Sequence, residues 1–167
     1  MKRKFKALVV GMVSVLACLG LLAGCASDKT FETSGMQITL TSAFYEKEYV
    51  SMTAYYESRD AIVTVLKEEF GLVDGFGNYT LSQYTDTVLS ANNLSASVQT
   101  REGKEYQYFT YERSASGKNF YYLATTHKSS DAFWLIQFAC VVSDKDKYTD
   151  KFLGWADTVT FGSSEVL

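Results

Sequence analysis

His127 is the single histidine in a chain of 167 residues, so a serine triad or a histidine-based metal site would have to be built around it. Thr125, Thr126, Ser129, Ser130 and Asp131 stand beside it and supply hydroxyl and carboxylate types that such a triad needs. No nucleophile-elbow glycine pattern surrounds any of these hydroxyls, and nothing marks an oxyanion hole. At the polar end of a strand-like segment, His127 reads as a surface or hairpin residue. The paired acids Glu46 and Glu48, Glu68 and Glu69, and Asp144 and Asp146 lack calcium-loop spacing and a histidine companion, so they read as solvated faces. No catalytic residue, metal ligand or cofactor is assigned.

The three cysteines differ in setting. Cys18 lies within an uncharged, mostly apolar run from Ala7 to Leu22, behind the cations Lys2, Arg3, Lys4 and Lys6; Cys25 follows the small residues Ala23 and Gly24. Cys140 stands alone in the apolar stretch Phe133 to Val142 and reads as a small buried hydrophobe. Cations, apolar core and small residues in that order make a signal peptide. Leu22, Ala23, Gly24 and Cys25 together resemble the lipobox of bacterial lipoproteins. That resemblance implies cleavage before Cys25 and two acyl chains on its sulfur, which suffice for stable anchoring. The alternative is an uncleaved membrane helix ending near Cys25, since the run is slightly long for a signal core, although slightly short for a span of ~20 residues. The expected organisation is a signal peptide at 1–24, a lipidated cysteine and short tether at 25–30, and one domain at 31–167, displayed outside the cytoplasmic membrane. In a cell with an outer membrane, that membrane is the alternative destination.

Removing the leader takes away four cations and no acid, so 12 basic residues face 19 acidic ones and the formal charge moves from −3 to −7. That excess opposes binding to nucleic acid. A hydrophobic content of 47% with 15% aromatic residues predicts a packed globule rather than a disordered chain.

Period-two alternation follows Ser34 and Gly35, with Met36, Ile38 and Leu40 on one side of a strand. Met52 to Glu57 and Ala61 to Leu66 read as an antiparallel pair across a short polar break. At Thr80 the period changes: Leu81, Tyr84, Thr85, Val88 and Leu89 recur as one helical face, and Thr80 with Gln83 has capping-box spacing. Four strands follow, roughly 96–101, 105–113, 119–127 and 132–142, with short polar separators that favour a meander. The last is apolar on both sides and is expected at the centre of the sheet. Ser143, Asp144 and Asp146 open a second helix with the stripe Tyr148, Phe152, Trp155, Ala156 and Val159. The fold class is therefore α+β, an antiparallel sheet of about six strands with two main helices packed on it.

This order of hairpin, helix, aromatic meander and final helix resembles the PsbP-like fold. Ser34, Gly35 and Met36 before the first amphipathic strand, and Leu81 to Tyr84 opening the helix, carry the likeness. It implies a three-layer sandwich and a noncatalytic accessory or binding domain, and it brings no site residues with it.

Twelve tyrosines are the most unusual component. Adjacent residues on a strand point to opposite faces, so Tyr106, Tyr108, Tyr121 and Tyr122 are the candidate ligand-binding residues, large stiff groups with a polar tip. The reading is a membrane-anchored binding or accessory protein that contacts a protein or a small ligand. An envelope hydrolase and a structural subunit of a transporter or signalling complex are its rivals.

Overall fold

A computed structural model describes residues 27–162. The expected signal peptide and Cys25 lie outside them. Among the described residues, no helix is long and apolar enough to cross a membrane.

Among the described residues, ten strands and two α-helices follow the order β1 (Asp28–Thr33), β2 (Met36–Thr41), β3 (Tyr45–Lys47), β4 (Ala54–Glu57), β5 (Ala61–Glu69), α1 (Leu81–Ala91), β6 (Gln99–Thr100), β7 (Gln107–Ala115), β8 (Lys118–Lys128), β9 (Ala132–Val141), α2 (Lys145–Ala156) and β10 (Thr160–Phe161). The main sheet has seven antiparallel strands in the order β3-β4-β5-β9-β8-β7-β6, where about six were expected. The extra member is β3, three residues at one edge, and the strand expected at 96–101 shrinks to the two residues of β6 at the other. Short edges leave few unpaired backbone groups open to other chains.

A second sheet, β1-β2-β10, was not foreseen. Asp28, Lys29 and Thr30, expected in the tether, pair with Thr41, Leu40 and Thr39. Ser34 and Gly35 both take positive φ, 49° and 88°, which a two-residue hairpin between right-twisted strands requires. Ser116 and Gly117 repeat the device between β7 and β8, at 48° and 76°.

β9 is central, as its two apolar faces demand: Trp134, Ile136, Phe138 and Cys140 face one side, Phe133, Leu135 and Ala139 the other. On the first side α2 and the small sheet close over one core, with Met36, Ile38, Leu40, Tyr148 and Phe152 packed against Val63, Leu123 and Phe138. On the second, α1 lays Tyr84 and Val88 on Phe109, Ala124, Phe133 and Leu135. Thr80 caps α1 as its spacing predicts, accepting from the Gln83 amide at 3.2 Å while Gln83 Oε1 accepts from the Thr80 amide at 2.8 Å. The result is a three-layer α+β sandwich.

Candidate functional site

The four tyrosines singled out by sequence divide between the two faces. Tyr106, Tyr108 and Tyr121 belong to the side covered by α2, and Tyr122 to the side covered by α1. Tyr106 is buried beside His127 at 4.9 Å, and its hydroxyl donates to Asp157 Oδ1 at 2.7 Å. Arg101 closes the same carboxylate with two bonds, at 3.1 and 2.7 Å, and holds it below the usual carboxylate range, with Tyr106 adding to the effect. Tyr121 is buried against Phe152 and accepts from Thr149 at 3.2 Å. Tyr108 is half-buried and donates to Gln99 at 2.6 Å, across the β6–β7 pairing. Tyr106 and Tyr121 thus fasten α2 and its C-terminal turn to the sheet.

Tyr122 stands elsewhere. It pairs with Tyr111, the two rings parallel to within 1° and 4.7 Å apart. Continuing across the sheet, Tyr122 is opposite Ala139, and Ala139 is opposite Ile62. One row therefore runs Tyr111, Tyr122, Ala139, Ile62 over four strands. In the adjoining row Thr64 donates to Gln137 Oε1 at 3.2 Å, and the Gln137 amide donates to the Tyr111 hydroxyl at 3.1 Å. Ile62, Thr64, Tyr122 and Gln137 are half-buried and belong to neither apolar cluster. Aromatic rings, a branched aliphatic and an amide, held at fixed strand spacing, make a stiff amphipathic surface that can accept a flat or extended partner. Beyond Thr64 in the same row lies Tyr55, fully buried, whose hydroxyl has no hydrogen-bond partner among the described residues; burial first, then the charge of Glu57, raises its pKa.

His127 corrects the expectation of a surface residue. It is 5% exposed, on the α2 side, between Tyr106 and Phe161. Its Nε2 bonds Thr125 Oγ1 at 2.9 Å, and burial lowers its pKa from 6.5 to about 3, which keeps the ring neutral. Ser129 and Asp131 do not join it: Ser129 Oγ donates to Asp131 Oδ1 at 2.8 Å and accepts from the Trp134 indole at 3.1 Å, inside the β8–β9 turn. His127, Ser129 and Asp131, within five positions in sequence, thus serve two separate hydrogen-bond networks. Cys140 is buried, and burial pushes its thiol up to about 11, away from nucleophilic or metal-binding reactivity at neutral pH.

A pocket of about 200 Å³ opens where the β1–β2 hairpin tip meets β10 and the β8–β9 turn. Sequence reasoning missed it, because Glu32 and Asp131 reach it from opposite ends of the chain.

No protein-family model matches the chain, and no curated protein matches it. Solved structures do. The chain is similar to the cyanobacterial PsbP protein CyanoP of Synechocystis, with a TM-score of 0.61 at 15% identity over 88% of this chain and 98% of that one. It is similar also to the Ran-binding protein Mog1p of Saccharomyces cerevisiae, with a TM-score of 0.55 at 8% identity over 82% and 96% of the two chains. A protein of Bacteroides thetaiotaomicron gives a TM-score of 0.55 at 14% identity, covering 81% of this chain and 49% of the other. At these identities the likeness is one of fold, and the fold is PsbP-like.

Proposed function

We propose that the protein is a lipid-anchored, extracytoplasmic, noncatalytic binding or accessory domain that meets another protein through the half-open face carrying Tyr111 and Tyr122. The observation that carries this reading is the row Tyr111, Tyr122, Ala139, Ile62, whose aromatic and aliphatic members outside the two cores remain half-buried. A contiguous amphipathic strip of this kind is what a partner can desolvate. The fold supports the reading, since Mog1p, which shares it, is a Ran-binding protein.

The address rests on Leu22, Ala23, Gly24 and Cys25 at the end of the apolar run. The domain's geometry gives that address a direction. β1 begins at Asp28, and Ser42 donates its amide to the Ser27 carbonyl at 2.6 Å, so the chain enters at the end of the small sheet opposite the Ser34–Gly35 hairpin tip. Six strand residues span roughly 20 Å. An anchor on Cys25 holds the entry end at the bilayer and turns the hairpin tip away from it.

The binding reading is tested in cells by placing a photo-crosslinking phenylalanine derivative at position 122 and, in a separate variant, at exposed position 112 on the opposite face of β7. Discrete adducts at 122 and none at 112 are expected. Identical adduct patterns, or none at either position, overturn the reading.

A further inference from the structure

We infer that the pocket at the hairpin tip is a binding site for a small organic cation, an ammonium or guanidinium group. The inference is independent of the aromatic strip, which lies on the other face of the main sheet.

The pocket combines two chemistries. One wall is aromatic: the half-buried Phe161 ring, backed at 5.1 Å by the buried Trp134 ring, whose plane is tilted from it by 34°. The other is acidic. Glu32 reaches the opening from β1, steadied by the Gln37 amide at 3.2 Å, and Asp131 reaches it from the β8–β9 turn. Asp131 is held in its ionised form, below the usual carboxylate range, by Lys67 at 2.8 Å and by Ser129.

Charge bookkeeping decides the sign of the ligand. Lys67 does not line the pocket: its side chain is 15% exposed, lies over the Trp134 ring at 5.4 Å, and divides its charge between Asp131 and Glu69, the latter at 3.6 Å. Glu69 and Asp131 therefore share one ammonium, and the lining proper holds two carboxylates, Glu32 and Asp131, and no cation. An anion is repelled. Among the described residues no group of histidine, cysteine and acidic side chains is gathered closely enough to hold a metal ion. The half-buried Phe161 ring attracts a diffuse cation, and carboxylates accept from N–H donors, so an alkylammonium or guanidinium group satisfies both walls at once. A volume of about 200 Å³ suits such a head group and is below the ~300 Å³ at which whole-ligand pockets begin.

The same group can come from a free amine or from a lysine or arginine side chain of a peptide. Titration with agmatine and with N-acetyl-arginine amide, followed by NMR through the Trp134 indole N–H, separates the two sources. Assignment uses Trp134→Phe, and sodium butyrate and sodium chloride serve as controls. A saturable shift is expected with at least one cationic probe, with a Kd on the order of 1 mM. Glu32→Gln, an exposed position whose loss leaves the cores intact, is expected to weaken binding roughly fivefold, the worth of a solvent-facing ion pair. If both cationic probes fail to saturate, if butyrate or sodium chloride reproduces the shift, or if Glu32→Gln binds as tightly as the parent protein, the inference is wrong.

Discussion

The two faces of the main sheet begin from similar sequence and end differently. On the α2 side, a helix and a second sheet converge, and the tyrosines at the margins, Tyr106 and Tyr121, are buried and committed to Asp157 and Thr149. On the α1 side one helix and the loop carrying Phe70 and Phe76 cover part of the sheet, and the row from Tyr111 to Ile62 continues past the cluster beneath them. Aromatic content therefore does not distinguish packing from recognition in this protein. What distinguishes them is the number of layers that arrive to cover each face.

The largest expected effect sharpens that contrast at its closed end. Phe138→Ala, which removes a fully buried ring packed against Phe152, is expected to cost about 3–5 kcal/mol in denaturant unfolding, whereas Ile62→Ala at the same level of the other face should cost less than half as much. Equal losses would break the distinction between a closed and a half-open face.

Acid sensitivity should also belong to the closed face. His127 has a folded pKa of about 3 against 6.5 when solvated, so its neutral form is the one the fold accommodates. Its contribution is complete above pH 6.5 and is lost as the pH falls from there toward 3, at about 1.4 kcal/mol per pH unit. Glu68, raised by burial on the α1 side, works in the opposite sense, since protonation favours its folded form and its contribution disappears as the pH rises. Chemical denaturation at pH 6.5 and pH 5 should show a loss of roughly 2 kcal/mol that His127→Gln abolishes. An unchanged loss in the variant would remove His127 from the account.

A smaller effect is expected at the start of α1. Thr80→Ala removes half of the capping box and is expected to lower stability by about 1 kcal/mol. Hydrogen exchange should quicken first in residues 81–91, because that layer is held by α1 and the loop carrying Phe70 and Phe76, with no second sheet behind it. Uniform acceleration in both helices would show that the two faces unfold as one unit.

Much of this architecture was legible in the chain. Two apolar faces placed β9 at the centre, the change of period at Leu81 placed α1, and Thr80 with Gln83 fixed its first turn. β1 escaped because Asp28, Lys29, Thr30, Phe31, Glu32 and Thr33 hold one apolar residue, too few for an alternation, and the strand exists through its pairing with β2. His127 was misplaced although its parity was readable: it shares a face with Tyr121, Leu123 and Thr125, all turned toward α2. The separation of Tyr121 from Tyr122 follows from the same alternation, but which face would stay half-open depends on where α2 and β10 return. The pocket had no local signature, since its walls come from the β1–β2 hairpin, the β8–β9 turn, β9 and β10.

Tyr121 and Tyr122 are neighbours in sequence with opposite surroundings, so their alanine variants test the central claim most directly. Equilibrium unfolding of the two should show Tyr121→Ala costing about 3 kcal/mol or more and Tyr122→Ala under about 1.5 kcal/mol. Equal costs, or a larger cost at Tyr122, would contradict the assignment of one face to packing and the other to contact.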